Sequence, residues 1–267
     1  MDWLKALILG LVQGLTELLP VSSSGHLVIV ERLMRLRLDS VSLEVWLHVG
    51  TALGLCFVMR RELLTIVHVF LPAGGRQEKR REGRELLAAL VVGTLPAVLV
   101  GAAASGAVER LFHDVRLTLA MLSVTGVVLL STRFAKHKGL RVTPALALAI
   151  GAAQAVAILP GISRSGATIA TAVLCGIGRE EAVRFSFLLS LPAILGGAVL
   201  ELAGGLPQAG GPGAGFIALA SAVACLSSVL AAFSLLHVVR KGKLGYFGYY
   251  CLAASGLGFL LLASNVL

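Results

Sequence analysis

Residues 13–26 read QGLTELLPVSSSGH, and this stretch decides how the rest of the chain is interpreted. A Glu, consecutive serines and a His interrupt a sequence that is otherwise apolar. Residues 154–168 read QAVAILPGISRSGAT and repeat the frame of Gln, an apolar helical turn, Pro and then Ser-x-Ser-Gly. The Pro is displaced by one position between the copies, so the repeat is degenerate. We interpret the two stretches as halves of one site.

The composition indicates an integral membrane protein. Of the 267 residues, 57% are hydrophobic and 14% are charged, which leaves too little polar surface to cover a soluble globule. The net charge of +9 would favour nucleic-acid binding in a soluble protein. Here the basic residues cluster in short loops between apolar runs, as the positive-inside rule expects. No nucleic-acid partner is therefore expected.

Neither a cleavable leader nor cysteine chemistry is indicated. The first apolar run leads into Glu17 and Pro20, not into a small-residue cleavage site, so we expect no cleavable signal peptide. The cysteines have scattered spacings that match no metal-binding motif, and we expect them to be buried free thiols. They are Cys56, Cys175, Cys225 and Cys251.

Several stretches are apolar and long enough to span a bilayer, which requires roughly 20 residues for about 30 Å of hydrocarbon. They are residues 41–59, 86–108, 115–132, 182–203, 213–239 and 244–263. The two segments that carry the repeat, 4–19 and 144–159, are shorter because Pro, Ser and Gly break them. Broken segments are tolerated at membrane depth only inside protein or beside a water-filled cavity. We predict an all-α integral membrane fold of six transmembrane helices plus two re-entrant helical hairpins.

The loops predict the orientation of the chain. Residues 60–85, 133–141 and 240–243 carry most of the basic residues, so their face should be cytoplasmic. The exceptions, Arg32, Arg35 and Arg37, would line the outer edge of the site or meet lipid phosphates. The first hairpin then enters from the outer face and the second from the inner face. The prediction is one polytopic domain, 1–267, of inverted repeats at about 1–132 and 143–267, with both termini outside.

Charged residues mark the meeting point of the hairpin tips. Glu17 and Arg164 each cost about 2.5–3.5 kcal/mol in the membrane, so an intramembrane ion of either sign indicates a functional site. We expect the two to pair near the midplane, where inverted repeats with broken helices place polar sites. The alternative is a buried pair that only fixes hairpin docking, although such a pair needs no hydroxyls or His.

The second tip has the groups of a phosphate site. Ser163, Ser165 and Thr168 supply hydroxyls, and backbone N–H groups near Gly166 lie at a predicted helix start, where anions are favoured. Arg164 can bind phosphoryl oxygens through its fork of donors. The alternative is a Pro/Gly kink with incidental serines.

The first tip has the groups that activate a nucleophile or hold a divalent cation. Glu17 precedes Ser23 by a Pro-directed turn, and His26 follows shortly after. Gln13 lies one helical turn before Glu17 on the same face. A lone His is more often a core residue, but serines and a Glu beside it favour a function.

The motifs resemble those of a known family. SGH and SR also occur in lipid phosphatases of the phosphatidic acid phosphatase type, but the Lys-x6-Arg-Pro element and the later His of that family are missing. The order (E/Q)-x-x-x-E, PVSSSGH, PGxSRSGAT and RFSFLLSLP at residues 184–192 resembles the bacterial undecaprenyl-diphosphate phosphatases, the bacitracin-resistance membrane proteins. The similarity covers nearly the whole chain.

The resemblance implies hydrolysis of undecaprenyl diphosphate to its monophosphate in the bacterial inner membrane. It implies Glu17 as the essential acid, Ser23 as a nucleophile or phosphate-binding hydroxyl, and catalytic roles for His26 and Arg164. It also implies Mg²⁺ or Ca²⁺, with Glu17 as a ligand, although Gln13 replaces the Glu of other members. The predicted substrate-binding residues are Gln13, Ser22, Ser24, Gly25, Ser163, Ser165, Gly166 and Thr168, of which the resemblance itself implies Ser163.

Other readings remain open at the level of sequence. Inverted repeats around a midplane site are also a transporter layout, so the chain could be a transporter or flippase of polyprenyl phosphate. A membrane assembly factor would leave Glu17 and Arg164 unexplained. His48 stands where the family more often has Gln, and with Glu44 it forms an (i, i+4) pair of unassigned role. The expected partners are the polyprenyl diphosphate, membrane lipids and, as one option, a second copy in a homodimer.

Overall fold

The computed structural model describes residues 3–34, 41–71, 77–112, 114–136, 138–203 and 213–264. Apart from an isolated β-bridge between Leu140 and Ile177, regular structure in these ranges is helical. The helices are α1 (Trp3–Leu18), α2 (Ser23–Leu33), α3 (Val41–Val58), α4 (Arg60–Val67), α5 (Gln77–Phe112), α6 (Val115–Ser131), α7 (Pro144–Val156), α8 (Arg164–Leu174), α9 (Arg179–Ala203), α10 (Ala214–Arg240) and α11 (Gly245–Ala263).

The described helices confirm a multi-pass membrane protein. Five of them, α5, α6, α9, α10 and α11, contain segments long and apolar enough to cross a bilayer. A sixth span is present if α3 and α4 count together, although their axes differ by 80°. The predicted apolar segments all fall on helices.

The helices α4 and α5 include residues outside the apolar segments that hydropathy predicted. The helix α5 has 36 residues and begins at Gln77, although the predicted span began at residue 86. The helix α4 lies in a stretch that the sequence predicts only as a loop. Glu, Lys and Arg are strong helix formers, so a helix can continue where the apolar segment has ended. Hydropathy marks the part of a helix that suits the hydrocarbon, not the whole helix.

Both short segments break as the sequence predicted. The helix α1 ends at Leu18 and α2 begins at Ser23, while α7 ends at Val156 and α8 begins at Arg164. Each break contains a Pro, which has no backbone N–H to donate within a helix and so favours the break. Of the basic residues that the sequence predicts on the outer face, Arg35, Arg37 and the side chain of Arg32 lie outside the described residues.

Glycines let α1 and α7 approach helices from the other half of the chain. A Cβ atom on Gly10 of α1 would lie 2.4 Å from the carbonyl oxygen of Ala220 in α10. A Cβ atom on Gly151 of α7 would lie 2.2 Å from the carbonyl oxygen of Gly93 in α5. Only glycine permits backbones to come this close. The helices α1 and α7 are thus each packed closely against a helix of the other half of the chain.

An apolar core surrounds the breaks. It contains Leu18 and Val21 beside the first break, Ile169 of α8, and Phe187 and Leu189 of α9. The cysteines are unpaired thiols as expected, but only Cys251 is fully buried, and the other three are half-buried. The polar residues of the two breaks therefore lie within a mostly apolar environment, where unpaired polar groups are costly.

Candidate functional site

The two breaks meet in space and form what we call the paired tips, residues 17–26 and 160–168. The Gly161 N–H donates to Ser24 Oγ at 3.4 Å, and Ser165 Oγ–H donates to the Leu19 carbonyl at 3.1 Å. Arg164 donates to Glu17 in an ion pair between the tips. The sequence prediction that these two charges pair is confirmed.

Glu17 is the centre of the paired tips. Its side chain is only 2% exposed, yet both carboxylate oxygens are bonded. Oε1 accepts from Arg164, while Oε2 accepts from Ser23 Oγ at 2.7 Å and from Gln13 Nε2 at 3.1 Å. The predicted proximity of Gln13 and Ser23 to Glu17 is confirmed. A buried carboxylate is stable only with such partners, since an unpaired charge would be strongly destabilised.

The second tip begins α8 with a serine cap. Ser163 is the N-cap residue, and its Oγ accepts the Gly166 N–H at 3.1 Å and lies 3.2 Å from Ser165 Oγ. The first N–H groups of a helix lack partners within it, and one of them is satisfied here. The predicted helix start at this tip is confirmed.

The first tip repeats this cap with a different backbone. Ser22 Oγ accepts the Gly25 N–H at 3.4 Å and lies 3.2 Å from Ser24 Oγ. Ser22 has φ 67°, in the left-handed region, whereas Ser163 has an ordinary φ of −73°. The degenerate repeat in the sequence therefore corresponds to a repeated cap in the structure.

The helix α9 forms hydrogen bonds with α8 through Ser186 and Ser190, to which the sequence assigned no role in the site. Thr168 Oγ1 lies 2.5 Å from Ser186 Oγ, and Arg164 Nη1 donates to the Ser190 carbonyl at 3.5 Å. Thr168 also donates to the Arg164 carbonyl, so its hydroxyl faces α9 and its own helix. Its role in substrate binding stays a prediction. Serines four residues apart within the apolar motif of α9 were the signal that could have revealed the contact.

Thr125 of α6 holds the second tip from the other side. Its hydroxyl accepts the Ser163 N–H at 3.0 Å and donates to the Gly161 carbonyl at 3.1 Å. Gly161 has φ +90°, which favours glycine, and a Cβ there would lie 2.0 Å from the Thr118 carbonyl oxygen. Nothing in the sequence around Thr125 distinguishes it from other apolar-helix threonines.

His26 lies beside the first tip but faces away from Glu17. Its Nδ1 is 2.8 Å from the Ser22 carbonyl, and its Nε2 is 2.7 Å from the hydroxyl of Tyr250 in α11. Within the described part of the chain, neither ring nitrogen contacts Glu17. The expected catalytic role of His26 therefore has no supporting contact with Glu17 here and stays a prediction.

His48 of α3 reaches the site instead. Its Nε2 lies 3.5 Å from Glu17 Oε2, and its Nδ1 bonds the backbone carbonyl of Glu44 at 2.8 Å. The (i, i+4) pair with Glu44 thus runs through the backbone and not through the carboxylate. Sequence spacing could not place His48 beside Glu17, because the two lie on different helices.

The described residues contain no cluster of three or more His, Cys, Asp or Glu side chains that could hold a metal ion. One oxygen ligand is nevertheless available beside Glu17. Gln13 is fully buried, and among the described residues no group forms a hydrogen bond with its Oε1. Mg²⁺ is often held by one or two carboxylates together with substrate phosphates, not by a protein cage. Glu17 and Gln13 Oε1 therefore suit a cation that arrives with a phosphorylated substrate.

Comparisons with a family model and with individual proteins point to the same family. Residues 6–257 match the family model described as "Bacitracin resistance protein BacA". The chain is 41% identical over 257 residues to an undecaprenyl-diphosphatase of Carboxydothermus hydrogenoformans, covering 94% of each chain. It is 38% identical over 271 residues to that of Salinibacter ruber, covering 98% of this chain and 100% of the relative. With that of Desulfatibacillum aliphaticivorans the identity is 37% over 264 residues, covering 94% of this chain and 95% of the relative.

Proposed function

Because the chain belongs to the BacA family of bacitracin resistance proteins, we propose that it hydrolyses undecaprenyl diphosphate to undecaprenyl phosphate and inorganic phosphate. The reaction would return this lipid carrier to the form that cell-wall synthesis uses. The observation that carries the proposal is the position of Glu17, whose carboxylate joins the Ser23 hydroxyl to the Arg164 guanidinium where the paired tips meet.

Arg164 is the group that binds the terminal phosphate. Its guanidinium can hold phosphoryl oxygens through two parallel hydrogen bonds. The side chain of Arg164 is 23% exposed and that of Glu17 only 2%, so the cation is the accessible member of the pair. An incoming phosphate competes with Glu17 for the guanidinium. Binding therefore replaces the ion pair within the protein by one with the substrate and frees the carboxylate.

The start of α8 assists this binding. The backbone N–H groups of its first turn have a partial positive charge and lack partners within the helix. Ser163 and Ser165 add hydroxyls, which are 3.2 Å apart. Phosphates bind at helix N-termini for these reasons. Together with Arg164, this turn would stabilise negative charge on the phosphoryl oxygens as the bond breaks.

Ser23 is the nucleophile and Glu17 its base. Their 2.7 Å hydrogen bond has the geometry of an activated nucleophile. As Ser23 Oγ bonds to the terminal phosphorus, its proton passes to Glu17 and the bond to the bridging oxygen breaks. Undecaprenyl phosphate leaves as an anion. Water then cleaves the phosphoserine; Glu17 returns its proton to Ser23 Oγ, the water oxygen stays on inorganic phosphate, and the surplus proton goes to solvent.

The Glu17 carboxylate and Gln13 Oε1 are the groups that would hold a divalent cation, Mg²⁺ or Ca²⁺. A bound cation would neutralise part of the charge of the diphosphate. Side chains of the protein itself bind the phosphate, orient Ser23 and remove its proton.

Phosphate release from undecaprenyl diphosphate by the purified protein in detergent tests the function. We expect release in the presence of Mg²⁺ or Ca²⁺ and slower release after addition of EDTA. Undiminished release in EDTA would remove the cation from the proposal. Absence of release under every metal condition would contradict the phosphatase function and favour lipid transport.

Gln13→Glu tests the first position of the site. We expect activity within about tenfold of the original chain, equivalent to about 1.4 kcal/mol of barrier, because Gln13 contacts Glu17 but not Ser23 or Arg164. The rate should be measured over a range of Mg²⁺ concentrations. A complete loss would show that a second carboxylate traps a cation or repels the diphosphate.

Helix packing supports the inverted repeat. If the halves correspond as α1 to α7, α5 to α10 and α6 to α11, then exchanging them turns the α1–α10 contact into the α7–α5 contact. The α6–α11 contact is turned into itself. These are three of the most extensive helix contacts in the described chain. The distribution of basic loops adds the orientation, so the proposal keeps two re-entrant hairpins of opposite orientation in the inner membrane, with both termini outside.

Thiol labelling in intact cells tests this orientation. In a variant without the native cysteines, a cysteine at Lys138 should be shielded from an impermeant reagent added outside. A cysteine at Gly213, before α10, should be labelled. Gly75 and Gly210 are equally informative by sequence but lie outside the described residues. Labelling at Lys138 would refute the inverted arrangement.

A homodimer stays a prediction.

A further inference from the structure

Two consecutive residues of α11 contact the first tip. The hydroxyl of Tyr250 lies 2.7 Å from His26 Nε2, and the two rings are nearly parallel, 7° apart in orientation with centroids 5.6 Å apart. Cys251 Sγ lies 3.6 Å from the Pro20 carbonyl. The helix α11 is remote in sequence from the tip, yet it contacts the turn before α2 at Pro20 and the first part of α2 at His26.

The hydrogen bonds of His26 determine its tautomer. The Ser22 carbonyl can only accept, so His26 Nδ1 carries the proton in the 2.8 Å contact. In the neutral ring, Nε2 is then the acceptor. The Tyr250 hydroxyl therefore donates to His26, and His26 donates to the Ser22 carbonyl. The three groups form one chain of hydrogen bonds that runs from α11 to the backbone of the first tip.

This chain ends on a strained residue. Ser22 has φ 67°, a left-handed conformation that is unfavourable for a residue with a Cβ atom. Such a conformation persists only where its surroundings hold it. The next residue is Ser23, whose hydroxyl donates to Glu17 at 2.7 Å. The backbone direction at Ser22 therefore sets where the Ser23 hydroxyl points.

We propose that Tyr250 is a positioning residue of the phosphatase reaction, holding the Ser23 hydroxyl on Glu17 through His26 and the Ser22 carbonyl. The inference rests on the proposed function and adds a residue to which neither the motifs nor the comparisons assign a role. It also gives His26 a function that agrees with its contacts: the imidazole orients the nucleophile and does not itself take a proton from it.

Tyr250→Phe tests the proposal, because it keeps the stacked ring and removes only the hydroxyl. Tyr249→Phe is a matched control: the two tyrosines are adjacent and equally exposed, 49% and 48%, but the Tyr249 hydroxyl accepts from Arg133. We expect kcat of Tyr250→Phe to fall about tenfold with KM and melting temperature unchanged. Tyr249→Phe should keep the original kcat. An unchanged kcat in Tyr250→Phe, or a rise in KM alone, would overturn the proposal.

A second variant distinguishes positioning from packing. In His26→Asn, the side-chain amide can still donate to the Ser22 carbonyl but offers no nitrogen to Tyr250. Adding Tyr250→Phe to His26→Asn should therefore leave kcat unchanged. A further tenfold loss, or a fall in melting temperature that accounts for the lost activity, would assign Tyr250 to packing. Phosphate release by the original chain is measured in parallel, so failure of the proposed function would be recognised separately.

Discussion

Arg164→Lys is expected to lower the rate of phosphate release by about a hundredfold to a thousandfold, the effect of removing one donor from a site that stabilises developing negative charge. Lysine keeps the positive charge beside Glu17 but loses the planar fork that holds two phosphoryl oxygens. Folding should change little, because the ion pair with Glu17 can be kept. Phosphate release and the melting temperature in detergent are the two measurements.

Arg240→Lys is the control for this variant. Arg240 also pairs with a carboxylate, that of Glu180. This pair is exposed and joins the first turn of α9 to the last residue of α10. Exposed pairs of this kind contribute about 0–1 kcal/mol. We expect normal activity and a normal melting temperature. Full activity in Arg164→Lys would show that charge alone suffices and would contradict bidentate phosphate binding.

Glu17→Gln and Ser23→Ala are each expected to lower the rate by about 10²–10⁴-fold, the usual contribution of a general base. The amide cannot take the Ser23 proton, and alanine has no hydroxyl to activate. Because the two residues act as one unit, the double variant should be no slower than the worse single variant. Rates of phosphate release on all three variants test this non-additivity.

Stability measurements separate catalysis from hairpin docking. If Glu17 only docked the tips, Glu17→Gln would leave Arg164 without a carboxylate, at a cost of about 3–5 kcal/mol when such a pair is buried. Activity would then fall in parallel with the folded fraction. Glu62→Gln is the matched control, because Glu62 pairs with Arg184 between α4 and α9, outside the paired tips. Inactive Glu17→Gln protein with a normal melting temperature would contradict the docking interpretation.

The sequence was sufficient for features that depend on local pattern. The apolar runs predicted the spans, and Pro, Ser and Gly predicted where α1 and α7 end. The repeated Ser-x-Ser-Gly indicated two corresponding tips, and in the structure Ser22 and Ser163 each cap the helix that follows. The pairing of Glu17 with Arg164 was also predictable, because each charge costs too much in the membrane to stay alone.

The tertiary structure decided which of the nearby polar groups touch. His26, three residues after Ser23, faces Tyr250, while His48 of α3 lies 3.5 Å from Glu17 Oε2. Thr125 supports the second tip without any mark in its sequence.

The physical reason is that these contacts join helices far apart in the chain. Local propensity and hydropathy determine where a helix begins, ends and enters the membrane. The rotation of each helix, and hence the partner of each polar side chain, is set by close packing. In this protein that packing includes the approach of Gly10 to α10 and of Gly151 to α5. The sequence alone therefore identified the polar residues of the two breaks, and helix packing determined which of them meet and which residues of other helices contact them.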